Sequence, residues 1–163
     1  ALDAADRLLG ILLDALPDDA RLQLAVARLR LRTGRYGESR SWLEQAALDG
    51  SAEVAEDALL LQEVALTLQR AALVPGVSTP TALLGPSPSL PRARRLVRLV
   101  PWLEASYGTL GGVLEARGEF DHAGDVYVDG AKTVRDEPAS RRLQEAARRA
   151  RLKAAEQRRN KGT

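Results

Sequence analysis

Laid against itself in the register that sets Pro17 on Pro101, the sequence brings like onto like. Val26 falls on Leu110, Ala27 on Gly111 and Gly34 on Gly118, and then Tyr36 on Phe120, Ser39 on Ala123, Leu43 on Tyr127 and Ala46 on Gly130. Each pair keeps its chemistry: turn former, apolar, small, glycine, aromatic, small, large apolar, small. Self-similarity at a fixed offset is the mark of a repeat architecture, in which stacked units bury one another's faces. The residue types supply the mechanics. Small residues let two antiparallel helices approach, the glycine closes the turn between them, and the aromatic just beyond it plugs the hairpin.

The rest of the chain agrees with helices. Ala, Leu, Arg and Glu are abundant and no long alternating pattern points to strands. Breakers cut the 163 residues into eight expected helices, near 2–16, 20–33, 37–49, 52–73, 90–100, 102–117, 121–135 and 138–159. Gly34, Gly50 and Gly118 fall at the expected turns, and Pro17, Pro101 and Pro138 beside helix starts. Residues 74–91 hold five of the eight prolines, and helix cannot continue through them. The stretch reads as an insertion between a long helix (Ser51 to Leu73) and a shorter one (Leu90 to Val100). Within it, Pro88-Ser89-Leu90-Pro91 approaches a polyproline-type ligand, and Thr79-Pro80 and Ser87-Pro88 could accept proline-directed phosphorylation.

Two segments carry a family resemblance. Leu22 to Ala46, with Thr33-Gly34-Arg35-Tyr36 and Trp42-Leu43-Glu44-Gln45-Ala46, resembles a tetratricopeptide repeat. So does Tyr107 to Gly130, with Leu110-Gly111, Arg117-Gly118-Glu119-Phe120, Ala123 and Tyr127. Ala5, Leu9, Leu12 and Pro17 look like the second helix of an earlier, truncated repeat. The resemblance implies an all-α fold: a right-handed superhelical array of antiparallel helix hairpins with a C-terminal capping helix. Its parts would be a partial repeat (1–19), a repeat (20–50), a repeat with the insertion (51–103), a repeat (104–137), and a capping helix with a basic tail (138–163), all in one domain. It departs from the family in the middle, where the step from Pro17 to Pro101 exceeds two ordinary periods of about 34 residues by roughly 16 residues.

In such arrays the first helix of each hairpin lines a concave side. The resemblance therefore places Arg21, Leu24, Arg28 and Leu31, then Ala58, Gln62 and Ala65, then Gly108, Gly112 and Glu115 in a groove that holds a peptide or a partner helix. Leu24 and Leu31 would give apolar contact, Arg21 and Arg28 would steer acidic groups, and Gly108 and Gly112 would permit close approach. Gly111, inside a helix, is better explained by tight helix packing. Some family members grip a C-terminal carboxylate with Lys and Asn on these faces; here Asn160 is the only asparagine, so that activity is not carried over.

Composition argues against chemistry. There is no cysteine and one histidine, so disulfides, thiolate metal sites and a cysteine nucleophile are excluded. His122, Asp125 and Asp129 share a helix face, with Asp121 as the expected N-cap, but such a cluster is ordinarily a solvated surface. No cofactor or metal is expected, no apolar run is long enough to span a membrane, and a soluble, cytoplasmic protein is the expectation. The net charge of +2 hides an asymmetry: residues 138–163 carry nine basic against two acidic side chains, leaving the rest at −5. The final helix has Leu143, Ala147, Ala150 and Ala154 on one stripe and should cap the stack, while everything beyond Ala155 should project or fray.

The expected function is thus a non-enzymatic interaction scaffold or adaptor. Two alternatives stay open. One is a ribonucleoprotein component touching RNA phosphates through Arg92, Arg94, Arg95 and Arg98 and through Arg148, Arg149, Arg158 and Arg159. The other is a structural subunit of a large assembly.

Overall fold

The computed structural model describes residues 2–73, 83–85 and 87–161. Among them the chain is all-α, with eight helices and no strand: α1 (Leu2–Ala15), α2 (Ala20–Arg32), α3 (Tyr36–Asp49), α4 (Ala52–Ala72), α5 (Leu90–Leu99), α6 (Glu104–Ala116), α7 (Phe120–Thr133) and α8 (Glu137–Lys161). Every expected helix is present, with ends within two residues of the expectation. Breakers and caps explain the agreement. Asp19 and Ser51 accept hydrogen bonds from Leu22 N and Val54 N at the starts of α2 and α4, and Asp136 from Ala139 N at the start of α8.

The chain divides into two compact units, Ala1–Pro80 and Thr81–Thr163. The division falls inside the Pro-rich stretch, so α4 and α5, read from the sequence as two arms of one repeat, belong to different units. Within the first unit α1 packs on α2, α2 on α3, α3 on α4 and α2 on α4. Within the second, α5 packs on α6, α6 on α7, α7 on α8 and α6 on α8. The second pattern is the first with every helix advanced by four.

The register that sets Pro17 on Pro101 holds position by position between α2–α3 and α6–α7, though not between α4 and α8, whose buried positions do not coincide in it. α2 and α6 have 13 residues each and α3 and α7 have 14, with starts at Ala20 and Glu104, and at Tyr36 and Phe120. Both connecting turns close on a glycine in the left-handed region, Gly34 at φ +76° and Gly118 at φ +74°. Arg35 N–H reaches Arg30 O at 2.8 Å and Gly34 N–H reaches Leu31 O at 3.2 Å; Glu119 to Leu114 (2.9 Å) and Gly118 to Glu115 (2.9 Å) repeat the pattern. This doubly bonded C-terminal closure needs a residue at positive φ, where a Cβ costs about 1 kcal/mol or more. Gly34→Ala and Gly118→Ala are each expected to lose ~1 kcal/mol in urea denaturation, and the double variant their sum.

Packing between the paired helices follows from residue size. In the second unit α6 and α7 exchange two glycine–tyrosine contacts. A Cβ on Gly111 would overlap the Tyr127 ring and stand 2.6 Å from its hydroxyl, and one on Gly130 would stand 2.5 Å from Tyr107 Cγ. In the first unit the same positions are Ala27 with Leu43 and Ala46 with Gln23, all buried. The last pair adds a correspondence that sequence comparison misses. Gln23 Nε2 donates to Pro17 O at 2.8 Å, and Tyr107 Oη donates to Pro101 O at 3.1 Å. Two unlike side chains at matching positions tie their helices to the same preceding proline carbonyl. Gln23 Nε2 also donates to Asp49, and Gln23 followed by Gln45 holds that carboxyl below the usual aspartate range.

Candidate protein-interaction surface

The residues expected to line a groove divide by burial. Arg21 is exposed, Leu24, Arg28 and Gln62 are half-buried, and Leu31, Ala58 and Ala65 are buried. The last three present no surface to a partner. The cause is the double packing of α2 and α4: each touches α3 and each touches the other, so a broad sector of both helices faces inward. Of the expected positions on these helices, Arg21, Leu24 and Arg28 on α2 and Gln62 on α4 keep exposed or partly exposed surface. These four combine one aliphatic side chain, two guanidinium groups and an amide.

The α6 positions separate in the same way. Gly112 is exposed, and a Cβ there would meet nothing within 4 Å, so its surroundings are open. Gly108 is half-buried. Glu115 is committed internally: Oε1 accepts from Tyr127 Oη at 3.0 Å and Oε2 accepts from Lys153 Nζ at 2.6 Å. Burial, with the Glu115 charge second, pushes the Tyr127 phenol well above its ordinary value, so it remains the proton donor of this bond. Glu115 is a strut between α7 and α8 within the second unit, which corrects its expected place on an open face.

The basic C-terminal helix also departs from expectation. It continues as helix to Lys161, past the expected end near 159. Its cations meet acids of α6 and α7: Arg142 forks onto Glu104 (2.6–3.2 Å), Arg151 reaches Asp125 (3.7 Å), Lys153 reaches Glu115 and Arg158 reaches Asp121 (2.5 Å). Part of the asymmetry in charge along the sequence is therefore internal complementarity, with acids of α6 and α7 facing four cations of the basic helix. Arg149 pairs along its own helix with Glu145 at 3.5 Å. Arg148 and Arg159 are exposed and ion-paired to nothing among the described residues. On α5, Arg94 is exposed, while Arg92, Arg95 and Arg98 have interactions of their own.

Several smaller expectations fall on described residues. Leu90 and Pro91 open α5 behind the N-cap Ser89, so Pro88–Pro91 is not an extended polyproline ligand. Thr79-Pro80 lies outside the described residues; Ser87 is exposed. The N-cap of α7 is Glu119, ahead of the expected Asp121, because the closure at Gly118 fixes the helix start. Arg117 and then His122 bond the Glu119 carboxylate and hold it below the ordinary glutamate range. Asp125 is paired with Arg151, and among the described residues no three potential metal ligands converge.

Two surfaces had no place in the sequence reading. On and just after α1, Leu8, Ile11, Leu12 and Leu16 are exposed, at 62%, 65%, 48% and 55%. In the repeat register Leu12 and Leu16 correspond to Leu96 and Val100, both fully buried. The second is an open groove of about 340 Å³ at the α2–α3 turn, lined by Gly34, Arg35, Tyr36, Gly37, Glu38 and Gln69. Among the described residues no helix is long and apolar enough to cross a membrane. No protein-family model, curated protein or solved structure matches this chain.

Proposed function

We propose that this chain is a helical-repeat scaffold of the tetratricopeptide kind, without enzymatic activity, that binds a peptide segment or helix of a partner protein along α2 and α4. The observation that carries the reading is the reuse of one hairpin. α2–α3 and α6–α7 share lengths, glycine closure and the hydrogen bond back to a proline carbonyl. Repeated hairpins that stack on their neighbours are the building plan of binding solenoids, whose function lies in extended surfaces. In this reading Leu24 provides apolar contact, Arg21 and Arg28 select acidic groups, and Gln62 hydrogen-bonds the partner backbone.

The test is affinity capture at native abundance with wild type and with Leu24→Glu/Arg28→Glu, each checked by circular dichroism. The variant is expected to lose its principal partner, with recovery down about tenfold. Undiminished recovery of every partner by a folded variant refutes the surface. Of the C-terminal cations that would touch RNA, Arg149 and Arg158 are ion-paired within the unit while Arg148 and Arg159 are exposed, so the RNA reading has fewer groups behind it.

A further inference from the structure

Helix α1 has two apolar sides, and its own unit uses one of them. Leu13 is buried and Leu9 half-buried on the side that packs on α2, where Asp6 is ion-paired to Arg30. The opposite side is open. Leu8, Ile11 and Leu12 are 62%, 65% and 48% exposed there, and the exposed Ala4 and Ala15 extend the stripe at its two ends. Among the described residues every other helix exposes at most one large apolar side chain. A contiguous apolar face of this kind is a contact surface by default.

What the face fits can be read from its rims. With Leu8 at position a of a heptad, Ile11 takes d, Ala4 the preceding d and Ala15 the following a. Asp6 and Leu13 then lie at f, the side packed on α2, so positions a and d point away from the unit. Arg7 and Asp14 fall at g, Ala5 and Leu12 at e. Both Arg7 and Asp14 are exposed and ion-paired to nothing among the described residues. One cation and one anion, a heptad apart on the same rim, let this face match its own image. Turning a second copy end over end sets g against g and e against e. Leu8 then stacks on the partner's Ile11, Ala4 on the partner's Ala15, and Leu12 meets the partner's Ala5. Arg7 meets the partner's Asp14, and the two-fold axis repeats every contact. A parallel pair would set Arg7 against the partner's Leu12, and a helix of uniform charge would match one rim group and repel the other.

We propose that α1 pairs antiparallel with α1 of a second copy of this chain, through Leu8, Ile11 and Leu12, with the Arg7–Asp14 pairs setting the direction. Apolar burial supplies the affinity, while exposed ion pairs add little to it and penalise the wrong arrangement. One short helix from each copy makes an interface at the small end of the specific range, so the association is reversible and concentration-dependent. None of Arg21, Leu24, Arg28 and Gln62 takes part. A pair of chains therefore carries two copies of the α2–α4 surface, and the pairing stands or falls independently of what that surface binds.

Sedimentation velocity of the full chain, from about 10 to about 500 μM, tests this. Wild type is expected to pass from monomer to dimer and no further. Ile11→Glu, at an exposed position and checked by circular dichroism, should stay monomeric throughout. Arg7→Asp or Asp14→Arg alone sets like charges opposite each other and should weaken self-association about tenfold. The double variant Arg7→Asp/Asp14→Arg should recover it, and so should an equimolar mixture of the two single variants, in which every rim pair is again of opposite charge. A monomeric wild type, which is the result if the face serves a different protein, overturns the proposal. So does association unaffected by Ile11→Glu, or single variants that associate no better mixed than apart. The mixture contains the same two proteins measured separately, so a folding defect cannot imitate the recovery.

Discussion

Gly111→Ala is expected to destabilise the second unit by about 2 kcal/mol in urea denaturation, although alanine is the better helix former by ~1 kcal/mol. The new methyl would overlap Tyr127 Cε1 and Cζ and crowd the hydroxyl at 2.6 Å. The ring has no easy retreat, since it is buried and its hydroxyl is tied to Glu115. The two helices must separate or the tyrosine must leave its place. The first unit shows the alternative solution, Ala27 beside Leu43, with both side chains fully buried. Combining Gly111→Ala with Tyr127→Leu transplants that pair. Tyr127→Leu alone sacrifices the Glu115 bond and leaves a void, at a cost of about 2 kcal/mol. The double variant should be no less stable than Gly111→Ala alone, a coupling of ~2 kcal/mol in a double-mutant cycle. Simple additivity of the two losses would show that the contact does not set the approach of the helices.

That pair also shows what a sequence comparison can and cannot see. Gly34 with Gly118 and Tyr36 with Phe120 are legible because turn geometry and plugging demand a residue type. Gln23 with Tyr107 is not, because amide and phenol share nothing except the ability to donate to the preceding proline's carbonyl. Helix ends were legible for the same reason as the glycines: prolines and capping side chains act locally. Burial was less so. Leu31, Ala58 and Ala65 lie on helix sectors that face a third helix, and the helical periodicity of apolar residues cannot say whether a second apolar sector is open or covered.

Charge was misleading in a more instructive way. Counted along the sequence, residues 138–163 look like a free basic tail. Folded, Glu104, Glu115, Asp121 and Asp125 stand opposite Arg142, Lys153, Arg158 and Arg151, each pair joining residues well separated along the chain. Such partners become visible only when α6, α7 and α8 are packed.

Ala150→Glu is expected to release α8 from α7, with a loss of about 3 kcal/mol or more and exposure of the Tyr127 and Leu143 environment to a hydrophobic dye. Two forces hold this helix. One is the set of cross-helix ion pairs, which are largely solvent-exposed and therefore individually weak. The other is the narrow stripe of Ala139, Leu143, Ala147, Ala150 and Ala154, all buried, through which α8 approaches its neighbours. Ala150 has no exposed surface, so a glutamate there must either bury an unpaired charge or push the helix away. If the stripe dominates, Ala150→Glu is far more damaging than Arg142→Glu, and raising the salt concentration leaves the wild-type midpoint nearly unchanged, because screening acts on exposed pairs alone. If the ion pairs dominate, Arg142→Glu and high salt both lower the midpoint as much as Ala150→Glu does. The small-residue stripe is what lets cation and acid come within bonding distance at the rim. Packing therefore positions the charges, and the charges choose the register in which the capping helix lies.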